Sequence, residues 1–489
     1  MNLKTLVLKA VFWVMAAGII TRLILFVTNI LLYRFLTAYE VGILALVWLF
    51  LAFIGIFKEI GLSRALIYQR EQIDEAANTA LLLTGCLGIG LFLLTFPFAL
   101  LIAQFYQDEH LTWPIRVLAL NLVISSFSVV PFALLEKEIQ FKKSVIPESV
   151  ESLAYGVVGV SLAYIGFSYW GPILGQIVGA LLSLVIVWYL CPWRPRFSFS
   201  WAMAKSLFSY GKEIVALNLI NLGIRNLDDA FVGKVLDKQI LGVYYFAYQI
   251  ANLPATHITN VIGRILFPVY SQLSTSTFEL RHAFLKTIGS VALLTIPLTF
   301  TILLFIPDLL FLCFGHKWDQ AILPIRILSF FGLLRALGSG MGGIFLALGK
   351  PHIMRQISLF QLIFLALLLY PITRWAGIVG VSILVTFSIL LSAVLHYMRL
   401  REIFEGIDKD VLNLFIPPSL LSVISGIFAI VLLRAFSIES ALGRFSTEIV
   451  AMVILYSLGL FIIDSQIRKQ AEKIVREFLI PAFQWLLKS

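Results

Sequence analysis

Long apolar runs separated by short polar breaks follow one another along nearly the whole chain. A bilayer core about 30 Å thick is crossed by about 20 apolar residues in a helix. Cutting the chain at its polar breaks therefore predicts about fourteen transmembrane helices, of which the first, seventh and eighth are the least uniformly apolar. Their approximate limits are residues 8–33, 41–57, 78–103, 113–135, 149–168, 171–190, 213–234, 240–263, 284–307, 322–347, 354–373, 376–397, 412–433 and 446–463.

The composition agrees with an integral membrane protein. Of the 489 residues, 60% are hydrophobic and only 13% are charged, whereas about a quarter of the residues in a soluble domain are charged. This excludes a soluble enzyme, a secreted disulfide scaffold and a disordered chain. The three cysteines, Cys86, Cys191 and Cys313, have neither the spacing of a disulfide framework nor that of a metal site.

The basic residues are distributed unevenly between the two sides of the predicted membrane. Alternating loops place 25 of the 37 lysines and arginines on the side of the N-terminus and seven on the other side. Cytoplasmic loops carry the excess of basic residues, so we expect a multi-pass membrane protein with both termini in the cytoplasm. This topology also accounts for the net charge of +10 without a nucleic-acid partner.

Three sequence segments recur in the same order at offsets of 200 to 210 residues, which indicates an internal duplication. The matched pairs are 34–43 with 234–243, 114–118 with 324–328, and 170–175 with 375–380. A repeat of six helices returns the chain to its starting side, so both halves have the same orientation. Such halves are related by an axis along the membrane normal and bind substrate between them.

The predicted fold class is therefore all-α, with two parallel six-helix bundles and two additional helices. The predicted boundaries are 1–200 and 201–405 for the bundles, 406–465 for the additional helices and 466–489 for a cytoplasmic amphipathic tail. A second amphipathic surface helix, or a short solvated linker, is predicted at 136–152.

No Walker A sequence, nucleophile elbow or metal-type histidine cluster occurs, so the sequence predicts no enzyme, metal or cofactor. Five arginines instead fall inside apolar runs. Arg22 and Arg335 are the deepest, and a cation at the bilayer centre costs at least about 2.5 to 3.5 kcal/mol on insertion scales. Each is therefore expected to face a cavity, water or a partner. Arg116 and Arg326 lie just inside the outer ends of their helices and are expected to reach the interface.

The fifth arginine, Arg225, lies in the seventh predicted helix, which is too polar for a lipid-facing span. It precedes Asp228 and Asp229 by three and four residues, a spacing typical of an ion pair on one helix face. Two interpretations remain open. Either the charges only neutralise one another, or the helix lines a cavity in which a carboxylate takes up a proton or a cation while the arginine meets substrate.

The eighth predicted helix carries Tyr244, Tyr248 and Asn252 at a spacing of four residues. On a cavity wall, this face would offer a sugar both stacking surfaces and hydrogen-bond partners. Helix packing is the alternative explanation.

A basic cytoplasmic vestibule is a further candidate feature. Its residues are Lys58, Arg64 and Arg264. The excess of basic residues in cytoplasmic loops explains the same three positions without a binding role.

Two segments carry a resemblance to a known family. They are the stretch 237–271, with Leu241-Gly242-Val243-Tyr244 and Phe267-Pro268-Val269-Tyr270-Ser271, and the stretch 314–326, with Trp318-Asp319 and Pro324-Ile325-Arg326. Together with fourteen spans in two halves, they resemble the Wzx-type polysaccharide flippases of the multidrug/oligosaccharidyl-lipid/polysaccharide exporter superfamily. The resemblance is nearest to the branch with the colanic acid and teichuronic acid exporters.

This resemblance implies a flippase of a bacterial inner membrane, which moves undecaprenyl-pyrophosphate-linked oligosaccharide repeat units in surface polysaccharide biosynthesis. It implies a cationic cavity for the pyrophosphate, to which Arg22, Arg225 and Arg335 are assigned, because arginine makes charge-assisted and often bidentate contacts to phosphate. A polysaccharide polymerase and glycosyltransferases are expected partners besides membrane lipids. Two alternatives remain open: a cation-coupled multidrug or small-molecule antiporter of the same superfamily, and a lipid II flippase.

Overall fold

The computed structural model describes residues 3–59, 62–68, 72–138, 140–196, 198–436, 440–462, 469, 472–473 and 475–476. Throughout these residues the chain is helical apart from turns and short connections, and they contain no strand. The chain forms two compact units, Met1–Gly242 and Val243–Ser489. The predicted tail at 466–489 lies almost wholly outside the described residues, and the predicted bundle boundaries remain predictions.

The first unit contains ten helices and the start of an eleventh. They are α1 Leu3–Phe35, α2 Ala38–Glu59, α3 Leu62–Tyr68, α4 Ile73–Tyr106, α5 Thr112–Leu118, α6 Leu120–Ser126, α7 Val129–Lys137, α8 Phe141–Tyr164, α9 Trp170–Leu190, α10 Trp201–Val235 and the first residues of α11 Lys238–Leu273. Between Val243 and Ile462, the described part of the second unit contains the remainder of α11 and five further α-helices. They are α12 Thr277–Phe314, α13 Ile322–Ala347, α14 Pro351–Ile403, α15 Ile407–Phe436 and α16 Ala441–Ile462.

The described helices have the length and surface of membrane spans. Nine stretches are long and apolar enough to cross a bilayer, and two of them, Thr277–Ala347 and Pro351–Ile403, each contain two of the predicted spans. Large apolar side chains are exposed along these helices, as at Leu93, which is 60% exposed, and Val185, which is 65% exposed. Such surfaces suit lipid rather than water. The prediction of an all-α, multi-pass membrane protein is confirmed.

The span predicted at 113–135 is divided into three short helices, α5, α6 and α7. Pro131 has no N–H to donate to the carbonyl of Phe127, four residues earlier. The indole Nε1 of Trp188 donates to this carbonyl instead, at 3.0 Å. Hydropathy predicted the apolar stretch correctly but not its division, because an indole from another helix satisfies the backbone at the break.

The segment 136–152 is not a separate surface helix, and that prediction is wrong. Helix α8 begins at Phe141 and continues without a break to Tyr164. A stripe of glycines on α9 allows its backbone to approach α8 closely: ideal Cβ atoms on Gly171, Gly175 and Gly179 would all lie within 2.8 Å of α8 carbonyl oxygens. Small residues at every fourth position permit this packing in membranes, and it fixes α8 against α9 from Glu151 to Ala163.

In the second unit, the two spans predicted at 354–373 and 376–397 meet within α14 at Gly377. This residue has φ 57° and ψ −151°, a conformation that is essentially restricted to glycine. The glycine therefore explains why one continuous helical stretch folds as two spans.

Elsewhere in the unit, Phe284, Phe345 and Phe404 are buried in one core cluster.

The internal duplication has a structural counterpart in each unit. A long helix, a short 3-10 helix and a helix that begins near a Pro-Ile-Arg sequence follow one another as α4, Glu109–Leu111 and α5, and again as α12, Gly315–Ala321 and α13. The two arginines of these sequences make similar contacts. Arg116 Nη2 donates to the carbonyl of Phe96 at 3.1 Å, and Arg326 Nε donates to the carbonyl of Leu303 at 3.0 Å.

Candidate functional site

Candidate charged residues of the first unit lie on its first and seventh predicted spans. Arg22 is half-buried near the middle of α1, beside the hydrogen bond of 3.1 Å between Thr21 Oγ1 and Ser149 Oγ that joins α1 to α8. On α10, Asp228 and Asp229 are 3% and 5% exposed, whereas the side chain of Arg225 is exposed. The helix therefore presents its cation and its carboxylates in different environments.

Tyr106 of α4 lies against the carboxylates of α10. Its hydroxyl donates to the carbonyl of Ala230 at 3.4 Å, and the charge of Asp229 acts on the phenol. Asp229 Oδ1 is buried and has no hydrogen-bond partner among the described residues. An enclosed carboxylate that lacks a partner is costly, so this oxygen is suited to accept a proton or to bind a cation.

Lys58 of α2 is half-buried, and its ammonium donates to Ser125 Oγ at 2.7 Å. It thus points into the helices of the first unit. The other two residues of the predicted vestibule, Arg64 and Arg264, have side chains outside the described residues. The vestibule remains a prediction.

A polar network at the ends of the first unit's helices was not predicted. Asp108 Oδ2 accepts a hydrogen bond of 2.8 Å from the hydroxyl of Tyr39 and lies 4.0 Å from Lys238 Nζ. Beside it, Glu40 accepts hydrogen bonds from the backbone N–H of Thr37, at 2.6 Å, and from the hydroxyl of Ser168. The network joins α2 and the N-terminus of α11 to the connections that follow α4 and α8.

Two lysines fix the turn between α10 and α11 onto the C-terminus of α4. Lys234 donates to the carbonyl of Phe105 and Lys238 to the carbonyl of Tyr106. The ammonium of Lys234 also lies 4.5 Å from the ring centroid of Phe105. Cations are favourable here because a helix C-terminus carries partial negative charge and unpaired carbonyls.

Tyr169, which precedes α9, titrates under the influence of the same network. Burial raises the pKa of its phenol, and the charges of Asp108 and Glu40 raise it further. The tyrosine is therefore neutral at physiological pH, and its hydroxyl retains a proton to donate.

In the second unit, Arg335 is half-buried in the middle of α13. Its Nη2 donates to the hydroxyl of Thr256 on α11 at 2.6 Å. This contact orients the guanidinium group in the middle of the helix. The sequence indicated the depth of Arg335 but not its neighbour on α11.

The predicted sugar-binding face of α11 is largely enclosed. Tyr244 is fully buried and Asn252 is 3% exposed, while Tyr248 is half-buried. The ring of Tyr248 lies between those of Tyr244 and Phe331, at centroid distances of 6.5 and 5.5 Å. Asn252 Nδ2 donates to the carbonyl of Tyr248 at 3.0 Å. The three residues do share one helix face, and their contact with a sugar remains a prediction.

Among the described residues, no group of three or more histidine, cysteine or acidic side chains is placed to hold a metal ion.

Comparison with known proteins identifies the family. A profile of the family described as "Polysaccharide biosynthesis protein" matches residues 31–323. The teichuronic acid biosynthesis protein TuaB of Bacillus subtilis is 27% identical over 306 residues. The match covers 62% of this chain and 63% of TuaB, so the chain spans less than two thirds of the length of this relative. The lipopolysaccharide biosynthesis protein WzxC of Escherichia coli is 23% identical over 425 residues, covering 85% of this chain and 86% of WzxC.

The fold is similar to that of a solved lipid II flippase, MurJ, in an inward closed conformation. The TM-score is 0.72 at 13% identity, over 92% of this chain and 98% of MurJ. These comparisons confirm the predicted resemblance to Wzx-type proteins and the predicted fold class. Since the family profile covers more than half of its length, the chain belongs to the polysaccharide biosynthesis protein family.

Proposed function

We propose that the chain is a flippase that moves lipid-linked oligosaccharide repeat units across the cytoplasmic membrane for surface polysaccharide assembly, by alternating access of its two halves. The observation that carries the proposal is the presence of half-buried arginines in apolar spans, Arg22 in α1 and Arg335 in α13, in a member of a polysaccharide biosynthesis family. Intramembrane cations of this kind mark substrate pathways. The names of the relatives also support a transporter over an enzyme.

The finer proposal is that the lipid carrier is undecaprenyl pyrophosphate. Arginine suits this head group because its planar guanidinium offers paired N–H donors to phosphate oxygens. We assign Arg22, Arg225 and Arg335 to the pyrophosphate. The hydrogen bond from Arg335 to Thr256 Oγ1 leaves the remaining guanidinium donors in a fixed orientation, which lowers the entropic cost of binding.

Ion coupling is assigned to the enclosed carboxylates of α10, Asp228 and Asp229. In proteoliposomes, we expect wild-type flipping to depend on pH and on an ion gradient, and the Asp228→Asn/Asp229→Asn double variant to lose that dependence. A double variant with wild-type gradient dependence would remove the assignment.

Further assignments follow from the proposed substrate. Tyr244, Tyr248 and Asn252 are the proposed sugar contacts. The proposed cytoplasmic entrance is formed by Lys58, Arg64 and Arg264, with both termini on the same side of the membrane. A polysaccharide polymerase and glycosyltransferases are the proposed partners, because the substrate must be assembled before flipping and polymerised after it.

The experiment that tests the proposal is complementation of polysaccharide export. We expect Arg22→Ala and Arg225→Ala to abolish export while the protein remains in the membrane at wild-type amount. Arg355→Ala is the matched control, since Arg355 is an exposed arginine near the start of α14. Normal polysaccharide from both variants, with normal export in the control, would contradict the proposal.

One alternative has a specific observation in its favour. The similarity of the fold to MurJ is compatible with lipid II as the substrate, which is also a saccharide on a lipid pyrophosphate. Accumulation of lipid II, rather than of an oligosaccharide repeat unit, upon depletion of the protein would establish this alternative.

A further inference from the structure

One face of α16 packs against α12 and carries an ionisable pair that the proposed substrate path does not use. Arg444, Glu448, Met452 and Tyr456 follow at intervals of four residues and so lie on the same side of the helix. Three of these residues pack on or bond to α12. Arg444 Nε donates to Asp308 Oδ1 on α12 at 3.0 Å, Tyr456 donates to the carbonyl of Leu293 on α12 at 2.9 Å, and Met452 packs in one apolar cluster with a phenylalanine of α12.

Glu448 is buried in the middle of this face of α16. It is 3% exposed, and it lies close enough to Asp308 for the charge of that residue to act on it. Its Oε2 is buried and has no hydrogen-bond partner among the described residues. Because the residue is almost completely buried, bulk water does not solvate the carboxyl group.

The chemistry of the contact requires a proton. An ionised carboxylate only accepts hydrogen bonds, so two neighbouring carboxyl groups can satisfy one another only when one of them is protonated. The balance of charges also calls for one bound proton, because two carboxylates face the single guanidinium of Arg444. With both carboxylates ionised, one negative charge would stay buried in an apolar environment with an unsatisfied oxygen, at a large cost.

Among the described side chains, Arg444 is the one cation in an ion pair with Asp308 or Glu448. Arg326 of α13, which also packs on α12, donates to the carbonyl of Leu303. Helix α15, which also packs on α16 and α12, carries Asp408, Lys409 and Asp410 in its first turn, at the opposite end from Glu448. The side chain of Arg434, near the other end of α15, lies outside the described residues. Helix α12 contributes Asp308 itself, and its other charged residues lie in its first turns.

We propose that Asp308 and Glu448 form an intramembrane proton-binding site between α12 and α16, and that release and uptake of this proton couple flipping to the proton gradient. The coupling role rests on the proposed function. The site differs from the carboxylates of α10 in its helices, its unit and its partner arginine. It also gives α16, which lies outside the two predicted six-helix bundles, a function in transport.

The test for the bound proton needs no substrate. Infrared spectra of the purified protein in lipid bilayers are recorded across a pH titration, and the carboxylic acid C=O band of the wild type is compared with that of Glu448→Gln. We expect the difference spectrum, wild type minus Glu448→Gln, to contain a carboxylic acid band at neutral pH that shifts in heavy water; any protonated carboxyl group of α10 contributes equally to both spectra and cancels. The glutamine is nearly isosteric and can still hydrogen-bond to Asp308.

Asp308→Asn repeats the test if Glu448→Gln does not accumulate, since either change leaves one carboxyl group facing one guanidinium. Asp410→Asn is the control, because Asp410 is an exposed carboxylate paired with Arg281 at 2.6 Å and should contribute no such band. Wild-type and Glu448→Gln spectra with the same carboxylic acid band would overturn the proton site.

The coupling role is tested by flipping of a lipid-linked oligosaccharide in proteoliposomes. We expect a pH gradient to accelerate flipping by the wild type severalfold and to leave the flipping rate of Glu448→Gln unchanged. Equal acceleration of both, or acceleration by a sodium gradient instead, would overturn the coupling role. Wild-type protein that flips no lipid-linked oligosaccharide would contradict the proposed function, while the infrared result would stand independently.

Discussion

Gly42 of α2 and Gly242 of α11 meet backbone to backbone within the Met1–Gly242 unit. A Cβ atom on Gly42 would lie 1.8 Å from the carbonyl oxygen of Lys238 and 3.2 Å from the backbone nitrogen of Gly242. A Cβ atom on Gly242 would lie 1.7 Å from the carbonyl oxygen of Ala38. The two glycines occupy equivalent positions in the sequence repeats. The duplication has therefore placed the same small residue on both sides of one helix contact.

This contact predicts an unusual response to alanine. In a helix interior, alanine is ordinarily preferred to glycine by roughly 0.5–1 kcal/mol. Gly242→Ala should instead lower the free energy of unfolding by about 1–3 kcal/mol, because the added methyl group forces the backbones apart. Denaturant titration in lipid–detergent micelles measures the change. Gly55→Ala is the control in α2, since nothing lies within 4 Å of its Cβ position; equal stability of the two variants would contradict the contact.

The polar network predicts that Asp108 stabilises the first unit. Asp108→Ala removes the acceptor of Tyr39 and the charge near Lys238. We expect a loss of about 1.5–3 kcal/mol, the usual range for hydrogen bonds to charged groups. The neighbouring Glu109→Ala, at an exposed position, should change stability by less than about 0.5 kcal/mol. If the two variants unfold at the same denaturant concentration, the network contributes nothing.

The sequence was sufficient for the fold class because apolar length and the distribution of basic residues follow directly from the bilayer. It was insufficient where the backbone is interrupted. Nothing in the hydropathy near Phe127 indicates that Trp188, 61 residues later, satisfies the carbonyl that Pro131 leaves without a donor. The break at Gly377 was found because Arg374 and the neighbouring glycine mark a polar connection.

In the candidate site, too, some features could be predicted from the sequence and others could not. The depths of Arg22 and Arg335 could be read from their position in apolar runs. The neighbours of charged residues could not, because Tyr39 and Asp108 are 69 residues apart and Arg444 and Asp308 are 136 apart. One available signal was overlooked: Lys234 aligns with Arg34 in the repeat, which indicates a basic residue needed at the same structural position.

Two arginines of α13 should respond differently to replacement by alanine. Arg326 donates to the carbonyl of Leu303, which has no helical donor because Pro307 stands four residues later. Arg326→Ala should therefore cost about 1–3 kcal/mol of stability. Arg335→Ala should reduce flipping at least tenfold and change stability less, because Arg335 contacts a side-chain hydroxyl. Stability and flipping are measured on the same purified samples; the reverse pattern would assign substrate contact to Arg326.

The central claim is that the chain flips a lipid-linked oligosaccharide, and mass spectrometry of polyprenyl-linked glycans in depleted cells tests it most directly. Leaflet accessibility of the same glycans is assayed in parallel. The account predicts that one complete oligosaccharide repeat unit accumulates on the cytoplasmic leaflet while the mature polymer is lost. Unchanged lipid-linked glycans, together with new sensitivity to cationic compounds, would contradict it and favour a multidrug antiporter.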